Sequence, residues 1–451
     1  MIRKLFTAAI VSLCIIALAE GVAIGGGLIV LARESEGNGA SSVKLGLVSG
    51  RLDLVRHDIE ELESDKTALN AEYNTLLEEI IGPYSEIISM VEDIRGLSAD
   101  ELIPVYPMTR AELAVYLEND MAENYPPDEI AIDEKCLKAL GLLNADASLS
   151  EILLGSSTDS YAGFYVPSEN KLYIITEDNE VSWYEKYIFA HEYEHFLQDQ
   201  NWGIDTTQDT FDEDNSDQYL AYTALVEGDS MLTETQFLVR LALYHNDDFV
   251  ALQEEIANLD YSDSGYGYTM PDYWYDSMYF PYSTGMDFVG ALKKNGGWEA
   301  VNNAFDAPPV STEQIIHPEK YFGNDAPVEL VKEDRSSSIG VGWALIDQDV
   351  LGELYTTYVL WTGNSTADAE DAAAGWDGDR VQFYEDESGD MVVLWESYWD
   401  TETDQDEFVD AVNNFLDDIG YYGTTNVADD GKVTVIYGQK EGVGVLATVL
   451  F

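Results

Sequence analysis

The sequence predicts an α+β protein: a mainly helical domain with a small β-sheet over residues 83–324, carried on a membrane helix (1–33) and a coiled-coil stalk (34–82), and followed by a small α+β domain (325–451). Three patterns carry that prediction. An apolar run followed by heptads opens the chain. A β-rich pair of segments runs into a capped helix in the middle. Short β-branched runs alternate with helical ones towards the end.

At the N-terminus, Arg3 and Lys4 precede an apolar stretch from Leu5 to Ala32 broken only by Glu20. It is long enough to span a bilayer, and its basic flank places the N-terminus inside and everything after Arg33 outside the cell membrane. Ala17-Leu18-Ala19 is an alternative signal-peptidase site, and cleavage there would release a secreted protein. Cys14 follows Leu13, where lipid attachment wants a small residue. Cys136 is then the only cysteine outside the apolar segment, so no intrachain disulfide framework is expected.

After a Gly/Ser-containing linker from Glu34 to Ser42, Leu45, Val48, Leu52, Val55, Ile59 and Leu62 fall on a and d positions, and after a break at Lys66 so do Leu69, Tyr73, Leu76 and Ile80. Five such heptads predict a coiled coil that lifts the next domain off the membrane and pairs chains into a homo-oligomer. The alternative is a single long helix packed on the globular domain. Gly21 and Gly25 add a weak GxxxG pairing motif within the span.

In the middle of the chain, residues 163–175 form two β-rich runs around Pro167-Ser168-Glu169-Asn170, a hairpin. Ser182 and Glu185 then have the spacing of a capping box, which starts a helix at Trp183 and carries it to Leu197 before Asn201 and Gly203 stop it. Of five histidines in the chain, two lie on this helix one turn apart, in His191-Glu192-Tyr193-Glu194-His195. Positions i and i+4 share a helix face, so both imidazoles can meet one Zn²⁺ while Glu192 leans towards a water as general base. A third ligand is expected from Glu227, a single acid inside the apolar, helix-periodic stretch Ala224-Leu225-Val226-Glu227. Asp199 continues the stripe of His191 and His195 and is the expected hydrogen-bond partner of an imidazole; capping of the helix end is its other reading. Asp229 would face the metal only if the helix broke at Gly228.

Four segments resemble the gluzincin class of zincin metallopeptidases, and more narrowly a group of uncharacterised secreted or membrane-anchored prokaryotic peptidase-like proteins. They are 191–200 around the two histidines, 224–229 around Glu227, Phe280-Pro281-Tyr282-Ser283-Thr284-Gly285, and 311–321 around His317. The resemblance covers about residues 90 to 325 well and the C-terminal part loosely. It implies a zinc-dependent hydrolase with His191, His195 and Glu227 as ligands and Glu192 as base, and it implies no particular substrate. One position departs from the pattern: where some gluzincins carry an aspartate that orients a ligand histidine, this chain has Met231.

Peptide hydrolysis also needs a donor for the oxyanion, and Tyr282 and His317 are the candidates, in segments whose Pro and Gly content predicts loops. His57 and His245 carry no such signal. The acidic stretch Asp212-Glu213-Asp214-Asn215-Ser216-Asp217 offers Ca²⁺ ligands but lacks the glycine and terminal glutamate of an EF-hand, so a solvated loop is the stronger expectation. With 86 acidic against 22 basic residues and a net charge of −64, nucleic acid is excluded as a partner.

Beyond about Asp325, a helix at 351–361, strands at 380–384 and 391–395, a helix at 403–419 and strands at 433–437 and 442–450 predict the small α+β domain. The resulting expectation is a membrane-anchored extracytoplasmic zinc peptidase acting on a peptide or protein substrate. A non-peptidase amidase and an inactive surface scaffold are the alternatives.

Overall fold

The computed structural model describes residues 76, 81–156, 161–176, 181–259, 271–438 and 440–451. The apolar segment and nearly all of the heptads lie outside them. No helix among the described residues is long and apolar enough to cross a membrane. Leu76 and Ile81, from the end of the heptad region, are buried in a core cluster with Ile87, Phe189 and Phe196.

In chain order the elements are α1 (Ser85–Arg95), β1 (Val105–Met108), α2 (Arg110–Asn124), α3 (Pro127–Ala139), α4 (Leu149–Ser156), β2 (Gly163–Val166), β3 (Lys171–Ile175), α5 (Trp183–Trp202), α6 (Ile204–Gln208), α7 (Ser216–Tyr244), α8 (Asn246–Ala257) and α9 (Asp272–Asp306). They continue as α10 (Thr312–Ile316), α11 (Pro318–Gly323), α12 (Ser336–Ile339), β4 (Ala344–Asp349), α13 (Gly352–Trp361), α14 (Thr366–Ala373), β5 (Trp376–Glu385), β6 (Met391–Trp399), α15 (Glu402–Ile419), β7 (Tyr422–Val427), β8 (Val433–Gly438) and α16 (Lys440–Leu450). The protein is α+β, with helices predominating and the strands gathered into two sheets.

The first sheet has the order β1-β3-β2. β1 runs parallel to β3, with Val105 opposite Leu172, and β2 runs antiparallel, with Gly163 opposite Ile174. The β2–β3 turn passes through Pro167–Glu169 and closes at Asn170, which adopts φ 50°, a left-handed conformation that asparagine tolerates. Gly163 lets this hairpin lie flat on α5: a Cβ there would stand 2.6 Å from Cγ2 of Ile188. Helix α5 is in turn covered by α1, α7 and α8, which is why its buried residues run all the way round rather than along one stripe.

The second sheet is antiparallel, with order β4-β5-β6-β8-β7. Its pleat sends Val381, Phe383, Val393, Trp395, Val433 and Val435 to one face, where Phe408, Val412 and Phe415 of α15 cover them. Tyr384, Val392, Leu394 and Ile436 face the other way, under Val443 and Leu446 of α16. The strand expected at 442–450 is therefore helical. Its β-branched residues suggest a strand, but Val443, Leu446, Ala447 and Leu450 are spaced i, i+3, i+4, i+7, and that face caps the sheet. β4 and β7 were not expected from the sequence; β7 is an edge strand with no fully buried residue to mark it.

The boundary near residue 325 does not divide the hydrophobic core. One cluster joins α3, α7 and α9 to α13, β5, β6 and α15. The joint also has a polar seam. The Asp349 carboxylate accepts hydrogen bonds from Ser216 N (2.8 Å) and Oγ (2.6 Å) at the start of α7, and Asp217 Oδ1 accepts from Thr312 N (3.0 Å). Asp379 accepts from the backbone of Leu351 and Gly352 and from the indoles of Trp376 and Trp395. Gly352 sits at φ 70°, with Asp217 where a side chain would begin.

Candidate metal centre

Helix α5 starts where the sequence places it. Ser182 Oγ accepts from Glu185 N (3.2 Å) while Ser182 N donates to Glu185 Oε2 (2.9 Å), a closed capping box. It ends at Gly203 in the left-handed region, φ 64°. Helix α7 crosses it without a break, capped by Asn215, whose Oδ1 accepts from Gln218 N (3.0 Å). The crossing brings His191, His195 and Glu227 together in the interior.

Among the described residues, these three are the one group of three or more His, Cys, Asp or Glu side chains whose ligand atoms all lie within 4.8 Å of one another. Nε2 of His191 is 3.1 Å from Nε2 of His195, and Oε2 of Glu227 is 3.2 Å from the first and 3.3 Å from the second. Ligand atoms about 2.0–2.1 Å from a tetrahedral ion are about 3.3–3.4 Å apart, so the triangle has the size of one face of such a tetrahedron.

The outer nitrogens settle which way the rings are protonated. His191 Nδ1 faces Glu234 Oε2 at 3.0 Å, a carboxylate that accepts, and Tyr187 donates its hydroxyl to the other oxygen of the same group. His195 Nδ1 meets Gln198 Oε1 at 2.9 Å. The Gln198 amide is oriented because its Nε2 donates to Val226 O (2.9 Å) and to Asp229 Oδ2 (3.2 Å), neither of which can donate back. In both neutral rings Nδ1 therefore carries the hydrogen and Nε2 offers its lone pair inwards. Three acceptors converge, and only a positive charge makes that arrangement favourable.

A metal ion meets that need, and a proton is the competing occupant. Burial lowers the His195 pKa, but the Glu227 charge more than offsets it and raises the imidazole overall; the charge of Glu192 acts in the same direction. Burial pushes Glu227 up, yet the two imidazoles hold it down at about 2. The trio can hold a metal ion.

A further layer holds these partners. Arg95 at the end of α1 is fully buried, with its Nε 2.9 Å from Asp229 Oδ1 and 3.3 Å from Glu194 Oε1, and its Nη1 2.7 Å from Asn302 Oδ1. The Trp298 ring lies 4.5 Å from the guanidinium. Two carboxylates against one cation would leave a buried negative charge, but burial and the Asp229 charge push Glu194 well above the usual carboxylate range, which favours its neutral form.

Glu192 is 2% exposed and sits between the two ligand histidines on α5. Tyr282 is also buried, with its ring against that of His191 at 6.2 Å between centroids. It lies within the long helix α9 and not in a loop; the non-helical residues of α9 are Gly296 and Gly297. His317 is elsewhere. It stands between α10 and α11 with Nε2 3.0 Å from Glu353 Oε1, in a cavity whose lining contains none of His191, Glu192, His195 or Glu227. Asp199, expected on an imidazole, instead accepts from Tyr165 of β2 at 2.8 Å, because at the last turn of α5 it faces the sheet. The carboxylates of Asp212 and Asp214, weighed as Ca²⁺ ligands, are paired with Lys332 at 2.5 and 2.8 Å.

Residues 343–447 match a family described as a domain of unknown function (DUF8575). The match contains the second sheet and leaves the metal trio outside it. No curated protein and no solved structure matches the chain.

Proposed function

We propose that the chain is a zinc-dependent peptidase, anchored by its N-terminal segment and acting outside the cell membrane. The observation that carries this reading is the buried triangle of two imidazole lone pairs and a carboxylate oxygen, with a further buried acid, Glu192, next to His191 on the same helix. Two neutral imidazoles and one carboxylate suit Zn²⁺ better than a hard cation and leave one position open. A zinc ion there would supply Lewis acidity to water and to a substrate carbonyl.

The chain's own residues do the rest. Glu192, which makes no part of the triangle, takes the proton of the attacking water and returns it to the leaving amine. Tyr282, packed on His191, is the candidate donor to the oxyanion. His317 has no part in this reading, since Glu353 holds it in another cavity. β2 is an edge strand lying on α5, so an extended peptide can pair with it beside the site, which favours a peptide over a small-molecule amide.

Metal analysis of the purified chain should give one zinc per molecule, and His191→Ala should abolish that stoichiometry. Glu192→Gln should keep zinc and fold while losing hydrolysis of a peptide library by about 100-fold or more. A Glu192→Gln protein that cleaves as fast as the parent refutes the mechanism. If parent and variant bind zinc and neither cleaves anything, the scaffold reading replaces the enzyme.

A further inference from the structure

The cavity that holds His317 lies on α9 between the metal-bearing half of the chain and the region matching DUF8575, and its volume is about 450 Å³. That is room for a ligand the size of an amino acid or larger. Its walls include Tyr279, Phe280, Tyr358 and Trp361. Exposed acids, Asp276, Glu370 and Asp371, stand on its lining, and Glu353 lies deeper, 5% exposed. No lysine or arginine is among the described residues that line it.

Two buried polar atoms of these lining residues have no hydrogen-bond partner. Oε2 of Glu353 is one; its other oxygen takes His317 Nε2 at 3.0 Å. Nε1 of Trp361 is the second, an N–H that can only donate. Leaving such groups unpaired costs about 1–3 kcal/mol each, more for a charge, so a stable fold carries them where something else completes them. Among the described residues neither atom finds a protein partner.

We propose that this cavity binds a small organic cation that also carries a neutral hydrogen-bond acceptor, of the kind an amino-acid amide presents with its ammonium and carbonyl. The ammonium answers Glu353 Oε2 and lies among aromatic faces, which attract cations. The carbonyl answers the Trp361 N–H. A free carboxylate in place of the amide would face four acids and is disfavoured, as like charges repel over these distances even when partly screened. The site stands apart from the metal trio and does not depend on what the trio does.

The test is calorimetric titration of the full-length chain with tyrosinamide, free tyrosine and N-acetyltyrosinamide, which share one ring and differ in charge. Saturable binding of tyrosinamide at least about tenfold tighter than of either analogue is expected. Glu353→Gln should weaken tyrosinamide about tenfold or more, and Trp361→Phe, which keeps the ring and removes the N–H, should weaken tyrosinamide more than it weakens tyramine, which lacks the carbonyl. Trp361→Phe guards against a folding failure of Glu353→Gln, as does the ligand series on the parent alone. No saturable binding of tyrosinamide into the millimolar range, or equal binding of the charged and neutral ligands, overturns the proposal.

Discussion

His191 and His195 owe their direction to side chains as much as to the helix that carries them. Helical spacing puts both rings on one face, but the ring could rotate or take the other tautomer without Glu234 and Gln198 fixing each Nδ1–H. Glu234→Gln keeps the shape and removes the charge behind His191, so zinc affinity should fall about 10–100-fold, read by competition with a chelator. An unchanged affinity would mean that the ring is held by packing alone. The first layer of this site was legible in the sequence because it follows from helix period and from one acid in an apolar run. The second was only half legible. Glu234 lies seven residues beyond Glu227, two turns along the same face, and that spacing is a usable signal. Gln198 gave none, being an amide on a helix end. Arg95 is 134 residues from Asp229, and no local pattern connects them. Asp199 shows the converse: its spacing from His195 is right for the metal face, but 100° per residue drifts over two turns, and the sheet offered Tyr165 first.

At the level of elements, the site depends on how closely α7 and α9 approach. A Cβ on Gly228 would stand 2.2 Å from the carbonyl carbon and oxygen of Gly285, and one on Gly285 would stand 2.2 Å from Ala224 O. Both obstacles are backbone, which cannot turn aside as a side chain can. Gly→Ala inside a helix ordinarily gains up to about 1 kcal/mol of propensity, whereas forcing two packed helices apart costs about 1–3 kcal/mol or more. Overpacking wins at Gly228, so Gly228→Ala should lower stability to denaturant and, by displacing the neighbouring Glu227, reduce zinc content. Gly290 on the same helix α9 has nothing within 4 Å of its Cβ position, so Gly290→Ala should be neutral or stabilising. Equal behaviour of the two variants would remove the close approach as an explanation. By its spacing, Asp229 could face the metal only if the helix broke at Gly228. It does not break: Asp229 points away, to Arg95 and Gln198, and the glycine serves the helix crossing. Capping box, hairpin and helix stop were legible because each is written within a few residues. The helical state of 280–285 was not, since Pro281 and Gly285 are loop residues locally and only the packing against α7 makes a helix of them.

Over the whole molecule, the two halves meet through buried carboxylates, and in two of them, Asp217 and Asp379, burial raises the pKa, which gives the joint a pH dependence of predictable sign. Burial raises Asp217 to about 8, with the hydrogen bonds from Thr312 only partly opposing it. Burial likewise raises Asp379 to about 7, against the backbone and indole donors around it. In the unfolded chain both titrate at about 3.9. A carboxyl whose folded pKa lies above its unfolded one binds its proton more tightly when folded, so its contribution is complete below about pH 4 and is lost as the pH rises through the folded value. The net charge of −64 works in the same direction, because self-repulsion grows as acids ionise. Only a difference between variants isolates the joint. Asp217→Asn keeps an Oδ1 acceptor for Thr312 and cannot ionise, so between about pH 5 and about pH 8 its stability should fall less steeply than the parent's, by up to about 1.4 kcal/mol per pH unit where Asp217 would otherwise release a whole proton. Denaturant unfolding of both proteins in the presence of a chelator, which takes the metal centre out of the comparison, measures that difference. Parallel curves for parent and variant would show that Asp217 is already ionised in the fold and that the joint tolerates a buried negative charge at the start of α7.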